Sequence, residues 1–407
     1  MFDDSNLIVG LEIGTSKVCA VVGELNAEGA LNIVGLGQAP ARGVRKGEIV
    51  DTTSAEECVR QAIVEAEQMA NVEIRNVYLG VTGAHIRGFN NRGVHRVLSA
   101  DREITNDDVE DVVKNARALN LPVTNSILHA IRQHFYLDGQ DGVLDPVNMS
   151  GALLEVDVHV VHGLTSRLQN AMRLVKGLHL EVNEFIFNGL ASSLALLTNE
   201  QKETGALVID IGAGTTEYVL YANGIIKHTG IFAIGGDHVS NDLGHGLKVT
   251  LSRAEKLKKE HGSSIVTEEI KGQTVSITNE VNLPIRTINL EHLQRIMSLR
   301  LEELFQIILH DLEQNQLQAY IPNGVFICGG GARIPHIAEL AEMVFQAPVS
   351  IGQTNSISGL KSALDQPEFH TAIGLVKYGS LKNRKRPATL FPGFNFRGIL
   401  DKFLPPR

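Results

Sequence analysis

The apolar and polar positions of the chain form one pattern twice, about half the chain length apart. Residues 7–22 read LIVGLEIGTSKVCAVV, and residues 205–221 read GALVIDIGAGTTEYVLY. In both segments an apolar run rich in β-branched residues ends in a carboxylate, passes through Ile-Gly and small residues, and meets a second apolar run. This order predicts a strand–turn–strand unit. Because Glu12 and Asp210 hold the matching positions, the duplication predicts two similar lobes.

Helices are predicted between the strands from apolar residues at helical spacing. One face of residues 54–70 carries Val59, Ala62, Ile63, Ala66 and Met69. Thr53 and Glu56 at its start offer a capping box. Further strands are expected at 31–37, 77–81 and 225–236, and further helices at 167–177 and 189–198. Strands that alternate with helices favour an α/β fold for each lobe.

Two stretches do not fit the repeat and are interpreted as insertions, one in each lobe. The first contains a helix that starts near Thr105, with strands on either side that end in LLEVDVHVV. The second contains the charged helix SRAEKLKKEHG, a hairpin near 265–279 and a long helix at about 289–318. The predicted divisions of the chain are 1–84 with 163–204 and about 366–380 for the first lobe, 85–162 for its inserted subdomain, 205–246 with 316–365 for the second lobe, 247–315 for its insertion, and 381–407 for a C-terminal tail.

The two repeated turns are candidate phosphate loops. Glycines let the backbone approach an anion closely, and successive N–H groups can then face it. Asp210 ends its strand at the turn, where its carboxylate can reach Mg²⁺ through water. Two ordinary glycine-containing hairpins are the alternative interpretation, which the duplication disfavours. The candidate phosphate-binding residues are Gly14, Thr15, Ser16 and Lys17 in the first loop, and Asp210, Gly212, Gly214, Thr215 and Thr216 in the second.

Two more segments are candidates for contact with a nucleoside. The apolar run VFIC leads into three successive glycines, which allow a flat ring or a phosphate to approach the backbone before the next helix. Charged residues on the helix of the second insertion are placed to reach ribose and adenine, although solvated surface charge is the alternative interpretation. These candidates are Gly329, Gly330, Gly331 and Ala332, together with Gly235, Gly236, Glu255 and Lys258.

The C-terminal tail combines an amphipathic pattern with positive charge. Residues 380–407 carry a net charge of +6, whereas the whole chain carries −9. The pattern suits a helix that lies in a membrane interface and is too short to span a bilayer. Docking of this helix on the protein's own core is the alternative. Its apolar face would consist of Phe396, Ile399, Leu400, Phe403 and Leu404.

Composition excludes several classes of protein. The acidic balance argues against general nucleic-acid binding, which needs Lys and Arg to neutralise phosphates. Three cysteines, Cys19, Cys58 and Cys328, are widely separated and show no metal-ligand spacing, so a reduced cytosolic protein is expected. We identify neither a signal-peptide pattern nor an apolar run long enough to span a membrane.

In this order the motifs resemble the actin-like ATPase superfamily and, more closely, the FtsA family of bacterial cell-division proteins. The similarity runs over nearly the whole chain, including both insertions and the amphipathic end. The segments that carry it are VGLEIGTSKV (9–18), KGEIVD (46–51), VYLGVTGAHI (77–86), GLASSLALLT (189–198), VIDIGAGTTE (208–217), SRAEKLKKEHG (252–262) and FICGGGARIPHI (326–337).

The resemblance implies a two-lobed actin-like fold of the ribonuclease-H-like type, with ATP and Mg²⁺ between the lobes. It also implies filaments of the protein with itself, binding to the C-terminal tail of the tubulin-like protein FtsZ, and recruitment of later division proteins. The implied location is the cytoplasmic face of the inner membrane at the division site, on anionic lipids. Because FtsZ tails carry acidic and apolar residues, we assign tail binding to Arg286, Arg295 and Arg300 in the second insertion.

The sequence departs from the superfamily at positions that bear on catalysis. Glu12 stands where hydrolysing relatives have Asp, and Ala213 and Glu217 also differ from the common pattern. Because catalytic geometry tolerates little displacement, these changes favour ATP binding with weak or absent hydrolysis. Glu12 and Asp210 remain candidates for positioning metal or water. Two alternatives stay open: a pilus-assembly adaptor that resembles PilM, and a sugar or acetate kinase of the same superfamily.

Overall fold

The computed structural model describes residues 7–383, except 27, 278–285, 322–323, 356 and 361–365. The predicted amphipathic helix, with its apolar residues Phe396 to Leu404, lies outside the described residues. In the part that is described, no helix is long and apolar enough to cross a membrane.

Strands and helices alternate along the described chain, as the sequence predicts. The strands are β1 (Leu7–Ile13), β2 (Lys17–Leu25), β3 (Leu31–Pro40), β4 (Val44–Arg45), β5 (Glu48–Ile49), β6 (Asn76–Val81), β7 (Arg87–Arg96), β8 (Asn125–Leu137), β9 (Gln140–Val143), β10 (Leu153–Leu164), β11 (Glu181–Phe187), β12 (Ala206–Ile211), β13 (Thr216–Ala222), β14 (Ile225–Phe232), β15 (Thr274–Ile277), β16 (Arg286–Asn289), β17 (Val325–Cys328), β18 (Val349–Ile351) and β19 (Ser358–Gly359). The α-helices are α1 (Thr52–Ala70), α2 (Asn106–Arg117), α3 (Thr165–Gly177), α4 (Asn188–Leu196), α5 (Asn199–Thr204), α6 (Gly236–Leu247), α7 (Leu251–His261), α8 (Leu290–Gln314), α9 (Ile337–Phe345) and α10 (His370–Asn383).

Two sheets share one topology. The strand order is β11-β6-β1-β2-β3-β19 in the first sheet and β14-β13-β12-β17-β18 in the second. In each, three sequential strands pair antiparallel, and two later strands add in parallel beside the first of the three. The repeat seen in the sequence is therefore a repeat of the sheet.

The first insertion forms a sheet of its own, with strand order β7-β10-β8-β9. Helix α2 covers one face, and it starts near Thr105 as predicted. The hydroxyl of Thr105 accepts from the backbone N–H of Asp108, and the carboxylate of Asp108 accepts from the backbone N–H of Thr105. The other face of this sheet meets β14 of the second lobe. The side chain of Asn90 there donates to the carbonyl of Lys227 at 2.9 Å.

Two helices lie where the lobes meet. Helix α4 and then α5 lead from the first sheet to β12, and α10 follows β19 of the first sheet and packs on β1. The two helices cross closely, since a Cβ added to Gly374 would lie 1.8 Å from the carbonyl oxygen of Ala191. The central hydrophobic core surrounds them and includes Ile8, Tyr78, Ala191, Val208, Val219 and Ile373.

Several details of the sequence prediction change. The N-cap of α1 is Asp51 rather than Thr53, because the Asp51 carboxylate accepts from the backbone N–H groups of Thr53 and Ser54. Met69, expected on the buried face, is 51% exposed near the end of that helix. The three glycines do not enter a helix directly: a 3₁₀ turn, Gly330–Arg333, comes first, and α9 begins at Ile337.

Candidate functional site

The two predicted phosphate loops have the same backbone turn. Gly14 N donates to the carbonyl of Lys17 at 2.9 Å, and Gly212 N donates to the carbonyl of Thr215 at 2.9 Å. Each turn closes a hairpin at the end of the strand that carries the matching carboxylate. The repeated sequence therefore produces two equivalent loops, one in each lobe.

The loops approach each other across the two lobes. A Cβ added to Gly214 would lie 2.5 Å from Oγ1 of Thr15 and 2.8 Å from Cα of Lys46, so only glycine allows this approach. The hydroxyl of Thr15 also accepts from the backbone of Gly47 at 3.0 Å. Ser16, in contrast, is exposed and borders a surface groove of about 840 Å³ beside α1.

Asp210 is held at the base of the second loop. Asp210 is only 5% exposed. Oδ2 accepts from the hydroxyl of Ser192 at 2.5 Å and from that of Thr371 at 2.7 Å. A Cβ on Gly329, whose φ is +79°, would lie 2.3 Å from Oδ1. The carboxylate is thus enclosed by both crossing helices and the glycine-rich turn.

Glu12, the matching carboxylate of the first lobe, has a cation beside it. Nζ of Lys17 lies 2.8 Å from Oε2 of Glu12. Burial raises the pKa of Glu12, and the charge of Asp210 adds to this, although Lys17 counteracts both. Burial alone would lower the pKa of Lys17, but Glu12 raises it above its usual value. The opposite charges of Glu12 and Lys17 therefore compensate each other within this ion pair.

Glu217, which the sequence analysis noted only as a departure from the superfamily pattern, is a third carboxyl group of the site. It pairs with Asp210 across the β12–β13 hairpin and is 3% exposed. The hydroxyl of Thr82, from the first lobe, donates to it. Burial, followed by the nearby charge of Asp210, raises the pKa of Glu217 to about 8. The tight turn was the available signal, since it places residue 217 opposite residue 210.

The two threonines of the second loop have different surroundings. The hydroxyl of Thr82, which follows β6 in the first lobe, lies 3.3 Å from the hydroxyl of Thr215 in the second loop. Thr216 is wholly buried, and its hydroxyl donates to the carbonyl of Ile234 at 2.8 Å. Thr215 therefore lies at the contact between lobes, and Thr216 connects β13 to the segment after β14.

The start of α6 packs directly on the second loop. Gly236 N donates to the carbonyl of Gly212 at 2.9 Å, and a Cβ on Gly235 would lie 2.5 Å from that same oxygen. Lys258 of α7 reaches this position and donates to the carbonyl of Gly236 at 3.0 Å. Its ammonium also lies 2.6 Å from Glu255. These four predicted residues therefore do come together.

Gly330, the middle glycine of the glycine-rich turn, has open space on its side-chain side. A Cβ on Gly330 would meet nothing within 4 Å, whereas one on Gly331 would lie 2.4 Å from the side chain of Ile211. Ala332 is buried. Gly329 and Gly331 thus allow close packing on β12, and Gly330 leaves its backbone accessible to a ligand.

This arrangement fits a nucleotide with Mg²⁺ bound through water. Glycine turns, hydroxyls and lysines are suitable donors for phosphate oxygens. Within the described ranges no three His, Cys, Asp or Glu side chains are grouped so as to hold a bare metal ion. Mg²⁺ usually keeps several waters and binds through one or two carboxylates and the phosphates of the substrate. Asp210 is the carboxylate that this chain can supply.

The three arginines assigned to partner binding lie in the second insertion in different settings. Arg300 is paired with Asp242 of α6 and with Glu303 one turn along α8. Arg295 is exposed on α8. Arg286 begins β16, which pairs with β15. The structure therefore ties Arg300 to α6 and leaves the Arg295 side chain on the surface.

Comparison with known proteins gives consistent matches along the chain. A family model described as "Cell division protein FtsA" matches residues 207–374, and one described as "SHS2 domain inserted in FTSA" matches residues 83–162. The cell division protein FtsA of Pseudomonas aeruginosa is 36% identical over 92% of this chain and 90% of its own length. That of Escherichia coli K12 is 34% identical over 92% and 91%.

Solved structures agree in fold at low sequence identity. A chain of the PilM–PilN type IV pilus biogenesis complex has a TM-score of 0.65 and 17% identity, covering 92% of this chain and 98% of its own. MreB5 of Spiroplasma citri bound to ADP has a TM-score of 0.57 and 14% identity, covering 94% and 98%. The predicted actin-like α/β fold with an inserted subdomain is thereby confirmed.

Proposed function

This chain belongs to the FtsA family of cell-division proteins, and from that premise we propose that it is an ATP-binding adaptor that tethers FtsZ to the inner membrane. The observation that carries the proposal is the meeting of the two loops, where Gly214 packs against Thr15 and Lys46. A ligand that contacts both loops would hold the two lobes in one arrangement. An actin-like cell-division protein thus has the means to respond to its nucleotide.

The proposed ligand is ATP with Mg²⁺, and the proposed activity is binding with slow or absent hydrolysis. Oε2 of Glu12 is already engaged by Nζ of Lys17 at 2.8 Å, so this oxygen is not available to position an attacking water. Asp210 would hold the hydrated metal, and Lys258 and Glu255 would lie beside the nucleoside. The family suggests nucleotide binding in general; the identity of the nucleotide is our proposal.

The remaining parts of the proposal concern assembly. We assign the FtsZ tail to the second insertion, around Arg286, Arg295 and Arg300, and the membrane to residues 396–404. Filaments of this chain on the cytoplasmic face of the inner membrane would hold the FtsZ ring and recruit later division proteins. The divisions of the chain predicted from the sequence are retained as part of this proposal, except that Ser358–Gly359, assigned to the second lobe, pair with β3 of the first sheet.

The two alternative functions have weaker support. Likeness to PilM is a likeness of fold at 17% identity, whereas the cell-division relatives are 30–38% identical over about nine tenths of the chain. For a kinase, neither carboxylate of the two repeated loops is available to a second substrate, because Glu12 pairs with Lys17 and Asp210 is enclosed. The adaptor is therefore the function we propose.

Two experiments test the proposed function. Titration of the purified protein with a fluorescent ATP analogue and Mg²⁺ should show binding that Asp210→Ala weakens, while phosphate release stays slow. Co-sedimentation with FtsZ and anionic liposomes should show FtsZ in the pellet only when this protein is present. Equal affinity of wild type and Asp210→Ala would remove Asp210 from the site. Failure to bring FtsZ to liposomes would refute the adaptor.

A further inference from the structure

Ser192 and Thr371 donate hydrogen bonds to the same oxygen of Asp210. The distances to Oδ2 are 2.5 Å and 2.7 Å, and the two hydroxyl oxygens lie 3.0 Å apart. Ser192 Oγ also lies 3.1 Å from the carbonyl of Asn188, but the nearer, charged acceptor is the stronger one. Each hydroxyl has a single proton, and a proton donated to Oδ2 is not shared with the other hydroxyl.

The two donors come from different helices, α4 and α10, which cross each other at Ala191 and Gly374. Ser192 lies on α4 and is wholly buried; Thr371 lies in the first turn of α10 and is 3% exposed. Helix α10 rests on the first lobe, since a Cβ added to Gly10 of β1 would lie 2.6 Å from the carbonyl of Ala372. The carboxylate of the second lobe is thus oriented by the elements that set the arrangement of both lobes.

The second oxygen of Asp210 lies beside Gly329. A Cβ built on that glycine would come within 2.3 Å of Oδ1, so only glycine leaves room for the carboxylate in this position. Rotation of the carboxylate would break its two hydrogen bonds to Oδ2. Hydrogen bonds to a charged group are stronger than those between neutral groups, so the two hydroxyls dominate this orientation.

We propose that Ser192 and Thr371 are positioning residues that orient Asp210 for the Mg²⁺-dependent part of ATP binding. The proposal rests on the ATP site of the proposed function. Groups that orient a ligating carboxylate usually matter almost as much as the ligand, and their loss costs about 10–100-fold in metal affinity. Because the hydroxyls belong to α4 and α10, they also link the orientation of Asp210 to the angle between the lobes.

The experiment compares the affinity for a fluorescent ATP analogue in Mg²⁺ with that in EDTA. The quantity of interest is the dissociation constant in EDTA divided by that in Mg²⁺, because this ratio isolates the metal-dependent part of the affinity. Ser192→Ala and Thr371→Val each remove one hydroxyl with little change in shape. Each is expected to reduce the ratio by about tenfold, while the affinity in EDTA changes little. Thr371→Ser keeps the hydroxyl and should retain the wild-type ratio.

Ser193→Ala is the matched control. Ser193 is the next residue of α4 and equally buried, but its hydroxyl contacts the carbonyl of Leu190 and the hydroxyl of Tyr221 instead of Asp210. Its ratio should equal that of the wild type. An unchanged ratio in Ser192→Ala and Thr371→Val overturns the proposal, and so does an equal loss of affinity with and without Mg²⁺, which marks a purely structural effect. A wild type that fails to bind the analogue refutes the ATP site itself.

Discussion

Thr82 of the first lobe donates a hydrogen bond to Glu217 of the second, so the lobes share a buried carboxyl group beside Asp210. Burial and Asp210 raise the pKa of Glu217 from its usual 4.5 to about 8. At neutral pH the folded protein therefore binds one proton at this position that the unfolded chain does not. Stability from this group is complete below pH 4.5 and is lost as the pH rises through 8.

The first prediction concerns Glu217→Gln, which replaces the protonated acid with a neutral side chain of similar shape. When the pH is raised from about 5 to about 8, the wild type should lose free energy of unfolding as the proton of Glu217 dissociates. The variant has no such proton, so its loss should be smaller by at least about 1 kcal/mol. Denaturant unfolding across this pH range measures the difference. Glu57→Gln on the exposed face of α1 is the control, and a slope that matches the wild type in Glu217→Gln would contradict the assignment.

The second prediction concerns His159 on the inserted sheet. This residue is wholly buried; Nδ1 lies 2.7 Å from Oδ1 of Asn90, and Nε2 lies 3.0 Å from the hydroxyl of Thr229 in the second lobe. Since the amide of Asn90 donates to Lys227, its oxygen faces the ring, so Nδ1 carries the proton and Nε2 accepts. Burial lowers the pKa of His159 to about 3.

The sign for His159 is the reverse of that for Glu217. The unfolded chain binds the additional proton between pH 6.5 and about 3, so stability is complete above 6.5 and is lost on acidification. His159→Gln should therefore show a smaller loss of stability on acidification from pH 7, with a cost of about 1 kcal/mol at neutral pH from the altered hydrogen bonds. Thermal unfolding at several pH values measures both. His179→Gln, at an exposed position, should leave the pH dependence unchanged.

The sequence could predict the loops but not the contacts that orient their side chains. The duplication identified Asp210 and the glycines, because a strand–turn–strand unit is a local pattern. Thr371 lies 161 positions from Asp210, and Thr82 lies 135 positions from Glu217. These partners depend on how α10 and β6 pack against the second sheet, for which hydrophobic periodicity gives no register. The cap of α1 was misplaced for a different reason: Asp51 and Thr53 are both good N-cap residues at nearly the same position.

The third prediction concerns the partner site on α8. Arg300→Glu should weaken binding of an FtsZ tail peptide by tenfold or more, about 1.4 kcal/mol, since it replaces a guanidinium that can pair with a carboxylate. The structure adds a complication, because Arg300 already pairs with Asp242 and Glu303. Arg295→Glu, at an exposed position on the same helix, tests the surface without disturbing that pair. Calorimetry with the peptide measures both.

Asp242→Asn separates the partner contact from the internal ion pair. It removes the charge opposite Arg300 but leaves the arginine in place, so tail binding should stay within about twofold of the wild type. Partly exposed ion pairs usually contribute about 0–1 kcal/mol, and the protein should remain folded. Equal weakening by Asp242→Asn and Arg300→Glu would show that the pair acts on the fold rather than on the peptide.

The last prediction concerns the membrane. The tail can be removed without disturbing the body only after α10, because Lys382 near the end of that helix pairs with Glu184 of β11. Deletion of residues 393–407 respects this limit. Half-burial of five apolar side chains at an interface would give roughly 4–7 kcal/mol before the cost of ordering the helix, and each basic residue adds ~1 kcal/mol near an anionic leaflet. Such a margin is small for one tail, so filaments with many tails should bind far more strongly than monomers.

Two variants distinguish the apolar from the electrostatic part of membrane binding. Phe403→Glu puts a charge on the apolar face and should abolish sedimentation with liposomes of any composition. Neutralisation of Arg384, Lys385 and Arg386 should weaken binding mainly to anionic liposomes at low salt, because exposed charges are screened at high salt. If the protein without residues 393–407 still sediments with anionic liposomes as well as the full chain, the tail is not the anchor. The alternative, a helix docked on the protein's own core, would then explain its apolar face.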